Sequence, residues 1–178
     1  MAQDDHNRRL INEAKTGDRE AFDAIIGPLL APAYQLALAM LGDRHEAQDV
    51  LQDAALKAWV KLAQVHDGKP VRPWFLAIVS NQCRMVRRRP WWTVVRLAEI
   101  RSPVQPSNDA IDCHLDLQDS LRRLTMEERL PLVLYYYLDL PMEEVSRVLG
   151  TSESAAKARI YRSVRRLRPS LTIEEALR

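Results

Sequence analysis

Apolar side chains recur at three- and four-residue intervals through most of this chain, the spacing that lines them along one side of an α-helix. Alternating Val/Ile/Thr runs, which would mark strands, are scarce. The pattern predicts a short first helix over residues 10–15. A second starts at the N-cap Asp18 and carries Ala21, Phe22, Ile25 and Ile26. Pro28 and Pro32 then interrupt it, because proline removes a helix donor and crowds the preceding turn, and the run over 34–41 continues after a kink. Further helices follow over 44–63 and 73–89. Gly17, Gly42, Gly68 and Gly150 each stand after a helical pattern, and Gly27 precedes Pro28, where helices stop or break.

From residue 90 to about 109 the periodicity is lost. The segment PWWTVVRLAEIRSPVQPSNDA has three prolines and a Ser/Asn/Asp cluster, which marks a linker. Trp91 and Trp92 within it either cap the core of the first domain or meet a partner. Beyond it Leu115, Leu117, Leu121 and Leu124 share a helix face, and a second helix spans 126–138 with Pro131 near its start. The expected fold class is all-α. Two small helical domains, 10–89 and 111–168, are joined by an irregular linker at 90–110, with a flexible N-terminus at 1–9 and a C-terminal tail at 169–178.

Residues 141–168, PMEEVSRVLGTSESAAKARIYRSVRRLR, read as a short helix, a turn at Gly150 and a longer helix capped by Thr151 or Ser152: a helix-turn-helix. In the longer helix Ala156, Ile160, Ser163, Val164 and Leu167 gather on one buried face. The other faces hold Lys157, Arg159, Arg162, Arg165, Arg166 and Arg168 with no acid, a charge of +6 in twelve positions. A helix of this width fits the DNA major groove, where arginine and lysine bond guanine edges and neutralise phosphates. Helical projection puts Ser154, Ala158, Tyr161, Arg162 and Arg165 opposite the apolar stripe. A merely solvated basic face would not explain the preceding short helix, turn and cap.

Two other helices carry one-sided charge. Residues 84–101 hold Arg84, Arg87, Arg88, Arg89, Arg96 and Arg101 against Glu99, a block of +5 that continues the helix of Trp74, Phe75, Ile78, Val79 and Asn81. Aromatics beside a basic helix can stack on unpaired bases while arginines hold phosphates. The preceding loop HDGKPVRP, with His66, Asp67 and Lys69, could line a pocket for an extruded base. Conversely, Glu46, Asp49 and Asp53, with Gln52 beside them, form an acidic stripe opposite Ala47, Val50, Leu51, Ala54, Ala55 and Ala58. Like charges this close repel. The stripe is either solvated or met by a basic partner.

Composition removes other classes. With 28% charged residues and a net charge of +2, the chain is neither a histone-like coat nor a polyacidic tail. No run approaches the length of uninterrupted apolar sequence a membrane span needs, and the N-terminus lacks an apolar leader core, so a cytoplasmic protein without membrane insertion is expected. Cys83 and Cys113 form no metal or disulfide pattern, and the adjacent Cys113 and His114 point to different sides of a helix, so no metal or other cofactor is expected. No Gly-rich phosphate loop, HExxH or spaced Ser/His/Asp set is present, so an enzyme is not expected.

In their order the pieces resemble the extracytoplasmic-function sigma factors, the smallest members of the sigma-70 family. GDREAF (17–22) is similar to the family's opening motif, and EAQDVLQDAALKAW (46–59) to its core-polymerase-binding helix. RPWFLAIVSNQCRMVRRR (72–89) is similar to its melting and minus-10 segment, and residues 124–168 to its minus-35-binding domain. The resemblance covers about 145 of 178 residues. It implies a sigma factor that binds core RNA polymerase and directs promoter recognition, DNA melting and initiation. Asp49, Gln52 and Asp53, beside Glu46, would dock on the clamp helices of the largest polymerase subunit. Trp74, Asn81, Arg84 and Arg88, with Arg87 and the His66, Asp67 and Lys69 loop, would engage the single-stranded minus-10 element. Lys157, Ala158, Tyr161 and Arg162, with Ser154, Arg159 and Arg165, would face the duplex minus-35 element. The linker would thread toward the polymerase cleft, and family members are commonly held by an anti-sigma factor. Where the family often has Gly-Thr, this chain has Ser154-Ala155; Ala158 replaces a small hydroxyl residue and Ala55 an aromatic one. The competing reading is a stand-alone helix-turn-helix regulator that binds duplex DNA without polymerase.

Overall fold

The structure, a computed structural model, describes residues 2–65, 70–88, 121 and 123–175. Among these every regular element is helical. The chain divides into two compact units, Met1–Cys83 and Arg84–Arg178.

In the first unit α1 spans Ala2–Lys15, α2 Arg19–Leu41 and α3 Arg44–Lys61 with a single 3-10 turn at Leu62–Gln64; α4, Val71–Arg87, belongs to this unit up to Cys83. The starts are set by short acidic side chains. Asp18 Oδ1 accepts the backbone N–H groups of Glu20 (2.9 Å) and Ala21 (3.2 Å), and Asp43 Oδ1 accepts that of Glu46 at 2.9 Å. Gly42 ends α2 in the left-handed region, φ 78°, its N–H on the Leu38 carbonyl. α2 lies between α1 and α3. Phe22, Ile26, Leu36 and Met40 of α2 are buried, as are the small residues Ala47, Ala54 and Ala58 of α3, the helix α2 packs against, and Phe22 takes the Trp59 ring edge-on at a centroid distance of 5.0 Å.

Three expectations are corrected here. α1 begins at Ala2, not Leu10, a largely polar extension of a helix anchored by buried Ile11 and Ala14. α2 is continuous through Gly27, Pro28 and Pro32. Ala24 and Pro28, whose carbonyls the two prolines leave unbonded, are exposed, so water can satisfy them, while buried residues on both sides of the prolines hold one helix. α2 is also long and apolar enough to cross a membrane, contrary to the expectation that nothing in the chain would be. Its buried residues, from Ala21 to Leu41, are instead committed to the core of this unit.

The second unit contains α5 Met126–Leu132, a wide turn Val133–Tyr137, α6 Met142–Leu149 and α7 Glu153–Glu175. The single helix expected over 126–138 thus gives way after Leu132 to a turn closed by Leu138 N–H on the Val133 carbonyl at 2.9 Å. The extra residue per turn keeps Leu134, Leu138 and Leu140 all buried while Tyr135, Tyr136 and Tyr137 face out. Arg129 is buried at 2% exposure, its Nε donating to the Leu121 carbonyl at 2.8 Å and its Nη2 to that of Leu124 at 3.3 Å. A buried charge is tolerated only when its donors find such partners.

Gly150 makes the turn of the helix-turn-helix at φ 62°, its N–H on the Arg147 carbonyl and the next N–H, of Thr151, on that of Ser146. Ser152 Oγ accepts the Ala155 N–H at 3.3 Å and caps α7. α7 continues through Pro169 to Glu175, where a tail was expected from 169.

Candidate DNA and protein interfaces

α7 presents the basic face as projected. Ala156, Ile160 and Ser163 are buried, Val164 and Leu167 half-buried, while Ser154, Lys157, Ala158, Tyr161, Arg162 and Arg165 are exposed. Tyr161 is 71% exposed. Arg159 is half-buried, at the edge of the face. Ser163 spends its hydroxyl on the Arg159 carbonyl at 3.0 Å, which lets a polar residue lie inside.

Arg166 is turned to another use: its Nη1 donates to Glu128 Oε1 at 2.7 Å, tying α7 to the start of α5. Glu128 Oε2 also accepts the Thr125 backbone N–H at 2.9 Å and the Thr125 hydroxyl at 2.8 Å. The backbone bond from Thr125 is the main cause holding the Glu128 carboxyl below its ordinary value; the Thr125 hydroxyl and Arg166 add to it, and burial opposes them.

On α3 the acidic stripe is surface. Asp49, Gln52 and Asp53 are exposed, Glu46 is half-buried in the first turn, and Ala47, Val50, Ala54 and Ala58 are buried opposite. Two residues not anticipated share that surface: Leu56 is 68% and Val60 73% exposed. Counting from Asp49 they stand at i+7 and i+11, and that spacing was the available signal.

α4 buries Phe75, Leu76, Val79, Cys83 and Val86. Its outer side carries half-buried Trp74, exposed Asn81, half-buried Arg84 and exposed Arg88, positions that follow one another at three, four and seven residues. Arg87, half-buried, falls on the flank of this stripe. Met85, unanticipated, is 57% exposed between Asn81 and Arg88. His66, Asp67 and Lys69, together with Gly68, Arg89, Arg96, Arg101, Trp91, Trp92, Cys113, His114 and the linker at 90–110, lie outside the described residues. Among the described residues no group of His, Cys, Asp and Glu could hold a metal ion.

Residues 25–93 match the family described as Sigma-70 region 2, and residues 114–167 the one described as Sigma-70, region 4. The chain is 27% identical over 171 residues to the ECF RNA polymerase sigma factor SigL of Mycobacterium tuberculosis, covering 93% of this chain and 96% of SigL. It is 26% identical over 179 residues to the ECF RNA polymerase sigma factor SigW of Bacillus subtilis, covering 92% and 96% respectively. Among solved structures it is similar to CnrH in complex with the cytosolic domain of CnrY, at TM-score 0.71 and 25% identity over 94% of this chain and 97% of that one. It shares its fold with the sigma factor RpoE of Bartonella quintana, solved with the anti-sigma factor NepR, at TM-score 0.65 and 20% identity over 85% and 97%.

Proposed function

The chain belongs to the extracytoplasmic-function sigma factors of the sigma-70 family, and from that premise we propose which of its faces meets which partner. A sigma factor is the subunit that gives RNA polymerase its promoter. The exposed stripe Asp49, Gln52 and Asp53, with Glu46, docks on the clamp helices of the largest subunit. Trp74, Asn81, Arg84, Arg87 and Arg88, with His66, Asp67 and Lys69, hold the opened minus-10 strand. Ser154, Lys157, Ala158, Arg159, Tyr161, Arg162 and Arg165 lie in the major groove of the minus-35 duplex.

The single observation that carries this reading is the sorting of charge by helix. Acid is exposed along α3 and base along α7, each opposite a buried apolar face, so neither helix can turn its charge inward without emptying the core. The two DNA contacts are weak alone and act together when polymerase holds both in place, which is avidity under a geometric condition. The protein performs no bond chemistry of its own in this scheme and works in the bacterial cytoplasm. A regulatory anti-sigma protein masking these faces is the further partner expected.

The test is the pair Asp49→Arg and Asp53→Arg. Co-purification with core polymerase and run-off transcription should both be abolished while the far-ultraviolet circular dichroism is unchanged. Normal co-purification would sink the assignment of α3. Tight, specific duplex binding by the isolated wild-type protein, with no stimulation of core, would favour the stand-alone regulator.

A further inference from the structure

Building on α3 as the polymerase-docking helix, we propose that the docking surface continues past the acids through Leu56 and Val60. Its occupant is a polymerase helix with basic residues toward one end and an apolar ridge toward the other. Asp49, Gln52, Asp53, Leu56 and Val60 occupy positions i, i+3, i+4, i+7 and i+11, one continuous stripe. Leu56 and Val60, at 68% and 73% exposure, are the most exposed of the large aliphatic residues among the described ones.

Their exposure is imposed by the core. Ala47, Val50, Ala54 and Ala58, all at 0–1% exposure, fill the opposite side, so rotating α3 to bury Leu56 and Val60 would expose that side and break its packing. Isolated apolar residues on a surface are ordinary, but these two are adjacent along one helix and continuous with the acidic stripe. The chemistry also calls for them. Exposed ion pairs contribute little each and are screened by salt, so acids alone would make a contact that fades at cellular ionic strength. Apolar side chains driven out of water beside them supply affinity that salt does not weaken. The acids choose and orient the partner; Leu56 and Val60 retain it.

The experiment is titration of core RNA polymerase with the full chain at low and high salt, comparing wild type, Leu56→Ala/Val60→Ala and Asp49→Asn/Asp53→Asn. The alanine pair should weaken binding about tenfold or more at both salts with the salt slope unchanged. The asparagine pair should lose affinity mainly at low salt and flatten the slope. Because Leu56 and Val60 are exposed, the melting temperature of the free alanine variant should equal that of wild type. Wild-type affinity for the alanine pair would overturn the proposal. So would a lowered melting temperature, which would assign the stripe to the chain's own packing, or loss of a wild-type dimer on substitution, which would assign it to a second copy. Failure of the wild-type protein itself to bind core would remove the underlying reading of α3.

Discussion

Arg166 and Glu128 meet at 2.7 Å, so one arginine of the basic α7 is spent inside its own unit instead of on DNA. The same carboxylate bonds the Thr125 N–H and hydroxyl. One acidic side chain therefore caps α5 and clamps α7, coupling the orientation of the longer helix of the helix-turn-helix to the start of a helix outside that motif.

Acid should weaken this clamp with a predictable sign. The Glu128 carboxyl lies below its ordinary value when folded, so its contribution is fully present above the unfolded carboxylate value and is lost as pH falls through the folded one. Glu128→Gln should cost about 0.5–2 kcal/mol at neutral pH, the range of a lost cap, and reduce the loss of stability on acidification. Urea unfolding from pH 7 to pH 3 measures both; an unchanged pH slope would contradict the coupling.

Gly150 should resist replacement for a reason of backbone and not of space. Its φ is +62°, and a Cβ built there would meet nothing within 4 Å. Gly150→Ala should destabilise by about 1–2 kcal/mol, the cost of a left-handed residue with a side chain, and Gly150→Asn by less. Chemical denaturation of the three proteins gives the order; an alanine variant as stable as wild type would show that the turn is not held to this conformation.

Arg162 stands exposed on α7, on the face proposed to enter the major groove. Arg162→Ala should cost about 1–3 kcal/mol in promoter binding and relax preference at one position of the minus-35 element if it bonds a base edge. Selection from a randomised minus-35 library with the holoenzyme distinguishes this from a phosphate contact, which would weaken all sequences alike and lower the salt slope by about one.

The helix-turn-helix could be read ahead of the structure because its signals act locally and agree. Gly150 permits the turn, Ser152 caps, and the Ala156, Ile160 and Ser163 spacing decides what is buried. The acidic stripe on α3 was equally plain. What could not be read depends on distant packing. Pro28 and Pro32 carry local rules that predict a break, and those rules lose to the buried residues that α2 sets against α1 and α3. The wide turn after Leu132 exists to bury Leu134, Leu138 and Leu140 together, a demand invisible to a helical repeat. Leu56 and Val60 escaped notice because apolar residues are assigned to cores by default, although their angular position beside Asp49 and Asp53 was there to be counted.

Arg129 has one more consequence. Its guanidinium reaches back from α5 to the main-chain carbonyls of Leu121 and Leu124, acceptors that belong to the backbone and are kept whatever side chains stand at those two positions. Mechanically it is a rivet at the start of α5. The residues just before α5 and the body of that helix are therefore pinned by one side chain, and sequence change at 121 or 124 leaves the pin in place.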